Sequence, residues 1–214
     1  MLHPAVEDRY YVELGAAFAR GRLGERLGES DEDAFEEGKR RGLKMHKFKR
    51  NAELPRVRRV LSLLAGVAPE SLLDIGSGRG TFLWPLLDAF PELRVTAIDH
   101  DDLRASDLAC VTKGGIARLS AAKMDARALD FPDATFDGVT VLEVLEHLEG
   151  PERAAREAMR VAKRFVVASV PSKPDDNPEH IHLFDVRALT ALFTGARSVK
   201  VEHVLNHVVA LVLK

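Results

Sequence analysis

Residues 72–80 read Leu-Leu-Asp-Ile-Gly-Ser-Gly-Arg-Gly, and no other stretch limits the fold so sharply. A short apolar run, residues 71–75, delivers its end into a glycine-rich turn, and helical spacing resumes at Thr81. That order is a buried strand, a tight loop and a helix start. Gly76 and Gly78 permit positive φ and a close approach of backbone to ligand, which a Cβ would block. The helix start adds unbonded N–H groups and the positive end of a helix dipole. Glycines alone make only a tight turn, so the ligand has to be read from the acids around them. A dinucleotide loop takes glycine at the sixth place of Gly-x-Gly-x-x-Gly, where this chain has Thr81. Asp74, at the strand end, would oppose a pyrophosphate but attract an ammonium group. Asp99, about 20 residues further on, suits ribose hydroxyls with either ligand.

Strand and helix alternate through the rest. Helix is predicted over 5–25, where Val6, Tyr10, Leu14, Phe18 and Leu23 recur at helical spacing. A second helix is predicted over 30–41, with Ser30 as N-cap, Asp33 three residues on and Gly42 as its stop. Pro55 opens a third, carrying Val57, Val60, Leu61 and Leu64. Strand-like runs follow at 71–75, 93–98, within 117–124, 136–142 and 164–170, with helices at 81–90, 103–111, 151–161 and 186–193. Residues 199–213 read as two strands around Leu205 and Asn206. The alternation predicts an α/β fold with a parallel sheet and helices on both faces; the last two strands, with no helix between them, predict an antiparallel pair at one edge. The chain divides into an N-terminal helical segment, 1–54, and an α/β domain, 55–214.

Within this frame, residues 72–80 resemble the first motif of the class I S-adenosylmethionine-dependent methyltransferases, in its Asp-x-Gly-x-Gly-x-Gly form. Residues 95–100, Val-Thr-Ala-Ile-Asp-His, resemble that family's second-strand motif, and 123–126, Lys-Met-Asp-Ala, its third-strand end. Residues 136–143, Phe-Asp-Gly-Val-Thr-Val-Leu-Glu, resemble its fourth strand. The resemblance covers about 55–214 and implies a Rossmann-like fold: a seven-stranded, mostly parallel sheet with an antiparallel C-terminal pair. It implies S-adenosylmethionine as cofactor, cradled by Asp74, Gly76, Ser77 and Gly78, with Leu142 at the end of the fourth strand. Asp99 takes the ribose hydroxyls, Asp125 the adenine amino group, and Met124 packs on the ring. His100, next to Asp99, is either a contact at the adenosine edge or an exposed loop residue, with no chemical role assigned. The segment before the first strand, in the same family, covers the cofactor and shapes the acceptor pocket.

Residues 143–147, Glu-Val-Leu-Glu-His, follow the fourth strand. In a helix Glu143, Glu146 and His147 would share one face. The polar loop 171–184 brings His180 and His182 to the same carboxyl end of the sheet, where ligands of open α/β sheets bind. Two carboxylates with one or two imidazoles are a ligand set for Mg²⁺, Mn²⁺ or Zn²⁺, or else a base with an orienting acid. Glu-x-x-Glu-His with a distant histidine resembles two metal-dependent groups, the ubiquinone-pathway O-methyltransferases and the small-RNA 3′-terminal ribose 2′-O-methyltransferases. Their resemblance implies a divalent ion on Glu143, Glu146, His147 and His180. The same stretch also resembles enzymes of this fold that use no metal, where the histidine packs the turn or serves as base. His147 and His180 are the candidate catalytic residues.

The totals exclude more than they select. A net charge of −2 points to no polyanionic partner, yet the charge is uneven. Residues 29–37 hold six acids, and the run 39–59, which opens on Lys39 and closes on Arg59, holds ten Lys or Arg. That run is either a solvated face or a track for phosphates, which keeps RNA as a second acceptor class beside a small molecule. An aromatic content of 6% and no RNA-binding motif leave base-stacking platforms unsupported. Cys110 is the only cysteine, in an apolar stretch that suits a small buried side chain; no intrachain disulfide can form and a reducing compartment is expected. With no signal pattern and no apolar run near ~18 residues, the expectation is a cytoplasmic protein off the membrane. Three functions fit: a methyltransferase with a small-molecule acceptor, a metal-dependent RNA ribose 2′-O-methyltransferase, and a non-catalytic S-adenosylmethionine-binding protein. An NAD oxidoreductase is disfavoured by Asp74 and Thr81.

Overall fold

The computed structural model describes residues 10–24, 27–50, 54–174 and 176–214. Its strands are β1 (Ser71–Ile75), β2 (Arg94–Asp99), β3 (Leu119–Lys123), β4 (Phe136–Leu142), β5 (Ala162–Pro171), β6 (Ser198–Val204) and β7 (His207–Leu213). They form one sheet in the order β3-β2-β1-β4-β5-β7-β6. The first five run parallel, and β7 enters antiparallel between β5 and β6. This is the class I methyltransferase architecture that the motifs imply. The strand order turns back between β1 and β4, and the crevice at their carboxyl ends is the ligand position of such sheets. Because β7 runs the other way, its first residue, His207, pairs with Pro171 and so lies at that same edge.

Helices α3 (Pro55–Val67), α4 (Leu83–Ala89) and α5 (Asp102–Lys113) belong to one apolar layer; α6 (Pro151–Val161) and α7 (Val186–Ala191) belong to the other. Leu72 and Leu73 are both fully buried but fall in opposite layers, because successive strand side chains alternate. Each side chain so enclosed contributes ~1.5–3 kcal/mol of burial. Pro55 and Pro151 stand in the first turns of α3 and α6, where a missing N–H costs nothing. The predicted helix at 81 begins two residues later: Gly80 and Trp84 shape a turn first, with the Trp84 indole donating to the Arg79 carbonyl at 2.9 Å.

Ahead of β1, α1 (Val12–Leu23) packs on α5, and α2 (Asp31–Arg40) packs on α1. The α1–α5 contact is backbone to backbone: a Cβ on Gly114 would meet the Ala17 carbonyl oxygen at 1.7 Å, and one on Gly21 the Cys110 carbonyl oxygen at 1.9 Å. Cys110 is half-buried beside this seam rather than enclosed. Ser30 caps α2 as expected: its hydroxyl accepts from Asp33 N at 3.1 Å, and the Asp33 carboxylate accepts from Ser30 N at 3.3 Å. Of the helix expected over 5–25, residues 5–9 (with Val6) and 25 lie outside the described residues, and Tyr10 forms an isolated bridge with Lys49 instead of joining the helix. The acidic and basic runs largely answer one another and the rest of the fold. Lys39 pairs with Glu36, Arg40 and Arg41 with Glu37, Lys47 with Asp107, Arg50 with Asp88 and Arg59 with Glu202. Glu53, the one acid within the basic run, lies outside the described residues. No described helix is long and apolar enough to cross a membrane.

Candidate active site

At the end of β1 the chain turns through Gly76, Gly78 and Gly80, with φ of +72°, +57° and +84°. The turn is tied to β2, since Gly76 N and Ser77 N both donate to the Ile98 carbonyl, at 2.8 and 3.1 Å. A Cβ on Gly76 would meet the Val144 side chain at 2.3 Å, so this close approach requires glycine. Asp74 is buried beneath the turn. Its two carboxylate oxygens accept from Ser77 Oγ and Thr140 Oγ1, each at 2.7 Å. Burial raises its pKa to about 6 despite those two hydrogen bonds, because the charged form is cut off from water.

Asp99 closes β2 with its carboxylate also buried. One oxygen accepts from Gly78 N at 2.8 Å and the other from Asp101 N at 3.0 Å. Each oxygen keeps a second acceptor position. His100 stands beside it, 81% exposed, with Nδ1 3.5 Å from the carboxylate. Asp125 follows β3 and is gripped by Arg127, whose Nε and Nη2 donate at 3.0 and 2.8 Å while its backbone N donates at 2.8 Å. That guanidinium lowers the Asp125 pKa to about 2. Met124 is half-buried beside it and lines the same cavity.

Two adjoining cavities run across these carboxyl ends. The smaller, about 190 Å³, is lined by Asp74, the glycine turn, Leu142, Ser169 and Arg56 of α3. The larger, about 710 Å³, is lined by Asp99, His100, Met124, Asp125, Arg127 and His147. Gly76, Arg104 and Glu143 line both. Among the described residues ahead of β1, those that line either cavity are Arg56, Val57 and Val60, all in α3.

The residues after β4 do not share one helical face. Glu143 takes φ +55°, and the turn that follows is a short 3-10 helix, Leu145–His147. Glu146, His147 and His180 come together, each offering a ligand atom within 4.8 Å of the others. The two imidazoles meet edge-on with centroids 4.7 Å apart. Glu143 is turned away from them. It accepts from Ser169 Oγ at 2.7 Å, lies 3.1 Å from His207 Nε2 and 3.8 Å from Arg56 Nε. The four-residue set of Glu143, Glu146, His147 and His180 is therefore assembled only in three, because the left-handed backbone at Glu143 directs its side chain to β5 and β7. His182 takes another place, bonded through Nε2 to the Leu148 carbonyl at 3.0 Å. The loop itself is stitched to the 3-10 turn, with Ile181 N and His182 N donating to the Glu146 carbonyl at 2.9 and 3.2 Å.

Sequence reasoning missed Arg56, Thr140, Ser169, Arg127 and His207. Arg56 was one more charge in a basic run, and Thr140 and Ser169 are single hydroxyls within apolar strands. His207 comes to the site only through the antiparallel entry of β7.

Residues 73–166 match a family model described as a methyltransferase domain. The malonyl-[acyl-carrier protein] O-methyltransferase of Geobacter sulfurreducens is 33% identical over 108 residues, covering 48% of this chain and 39% of that protein. The demethylmenaquinone methyltransferase of Thermotoga maritima is 31% identical over 107 residues, covering 50% and 45%. The chain thus spans about half the length of the curated relatives it matches. Among solved structures, the methyltransferase domain of bacterial CtHen1-C superposes with a TM-score of 0.63 at 17% identity, over 74% of this chain and 96% of that one. At that identity the likeness is one of fold.

Proposed function

We propose that this chain, a member of the class I S-adenosylmethionine-dependent methyltransferase family, transfers a methyl group to a small-molecule acceptor. The observation that carries the cofactor reading is the pair of buried carboxylates, Asp74 and Asp99, bracing one glycine turn from below and beside. The cradle fits the cofactor chemically. Asp74 suits the ammonium of the methionine part, Asp99 has acceptor positions for two ribose hydroxyls, and Asp125 has one left over for an adenine amino hydrogen. When bound, S-adenosylmethionine supplies a methyl group on a positively charged sulfur, which departs as a neutral thioether as the acceptor's lone pair takes the methyl carbon.

The chain's own residues then have three tasks. The glycine turn and the two acids hold the donor in line, and alignment supplies a large part of the acceleration in such a transfer. Val57, Val60 and Phe82 give the smaller cavity its apolar lining, against which the methionine part of the donor can pack. His147 takes the acceptor's proton: its Nδ1 faces the Glu179 carbonyl at 2.9 Å, and a carbonyl only accepts, so the neutral ring carries its lone pair on Nε2. His180, packed on that ring, fixes its plane.

The small-molecule reading is supported by the relatives, named for malonyl-[acyl-carrier protein] and demethylmenaquinone. The RNA alternative loses its track where the basic run is engaged in ion pairs. A divalent ion on Glu146, His147 and His180 is a second reading, resting on their convergence. With Glu143 engaged by Ser169 and His207, the donors are one short of the implied set. Calorimetric titration with S-adenosylhomocysteine and with NAD, with and without EDTA, tests the proposal. Binding of S-adenosylhomocysteine alone is expected. Binding of NAD alone would refute the cofactor, and binding of S-adenosylhomocysteine without turnover across an acceptor panel would favour a non-catalytic binder.

A further inference from the structure

Among the described residues, Glu143 is the one carboxylate that lines both cavities. The smaller cavity carries the groups suited to the methionine part and the larger those suited to adenosine, as set out above, and this inference rests on that cofactor reading. In the cofactor the sulfur joins those two parts, so the place where the cavities meet is the place of the sulfur. We propose that Glu143 faces the sulfonium centre and that Arg56, Ser169 and His207 are positioning residues that hold its carboxylate there.

Three observations point the same way. Glu143 adopts φ +55°, a conformation costly for a residue with a Cβ and one that clusters at functional sites. Its carboxylate is restrained from three elements, by Ser169 of β5, His207 of β7 and Arg56 of α3. The restraint also draws it away from Glu146, His147 and His180, which form a separate group. A carboxylate opposite the sulfonium favours the charged donor over the neutral product, so it discriminates S-adenosylmethionine from S-adenosylhomocysteine and promotes product exchange.

The test uses two stable ligands and no acceptor. Sinefungin has a carbon in place of the sulfur and an ammonium group in place of its methyl, so it keeps a positive charge one bond from the sulfur's position; S-adenosylhomocysteine is neutral there. By calorimetry the wild-type protein should bind sinefungin at least about fivefold more tightly, the effect of one nearby opposite charge even in a water-like surrounding. Glu143→Gln should abolish that preference while leaving S-adenosylhomocysteine affinity within about twofold, a split that general damage to the site would not produce. His207→Ala should weaken the preference, and His207→Gln, which keeps a donor at the same reach, should restore it. Equal binding of the two ligands by wild type, or a preference unchanged in Glu143→Gln, would overturn this inference alone. Binding of neither ligand by wild type would overturn the cofactor reading and this inference with it.

Discussion

Replacing Asp74 with asparagine should make the protein more stable at neutral pH and a poorer binder of its cofactor. The carboxyl has a pKa of about 6 in the folded chain against an ordinary value of 3.8. Between those values the folded state holds more protons than the unfolded one, so stability falls as pH rises. Above pH 6 the full cost is present, about 3 kcal/mol at ~1.4 kcal/mol per pH unit. Asparagine keeps the hydrogen bonds: its amide oxygen accepts from one of Ser77 and Thr140, and its NH₂ donates to the other, since each hydroxyl can serve either way. Removing the buried charge should therefore raise the melting temperature by about 5–10 °C at pH 7.5 for a chain of this size. The difference should shrink below pH 6 and nearly vanish by pH 4. Differential scanning fluorimetry of both proteins across pH 4–8 reads it directly. An Asp74→Asn protein less stable at pH 7.5, or displaced equally at every pH, would refute the reasoning. The same substitution should weaken S-adenosylhomocysteine binding, the exchange of stability for function expected of a charge kept buried for a ligand.

Three more outcomes are expected. S-adenosylhomocysteine affinity should rise as pH climbs through about 6 and then level off, with proton release in calorimetry, because the ligand's ammonium favours ionised Asp74; a flat profile would count against that contact. Asp99→Ala should cost about 1.5–3 kcal/mol of S-adenosylhomocysteine binding, tenfold or more in Kd, through lost bonds to the ribose and to Gly78 N and Asp101 N. Gly114→Ala should destabilise the fold by about 2 kcal/mol in urea titration, since its Cβ would strike the Ala17 carbonyl, yet leave cofactor affinity unchanged once folded.

Residues that act through the backbone of their own segment were legible in the chain. The glycine turn, the Ser30 cap, the helix-opening Pro55 and Pro151 and the alternation of strand with helix all depend on neighbours within a few positions, and each stands where the residues place it. Asp74 and Asp99 belong to this group, because they stand at the carboxyl ends of β1 and β2, Asp74 one residue before the last, and a parallel sheet brings strand ends to one edge. What depended on long-range closure was not legible. Whether Glu143 joined His147 or His207 turned on a single left-handed φ and on β7 entering between β5 and β6, which delivers a residue 64 positions away to the same edge. Likewise the basic run acquired its partners, Asp88, Asp107 and Glu202, only when helices and strands distant in sequence packed together. Charge and hydrogen-bond partners act over a few ångströms, and only the packed chain says which residues come that close.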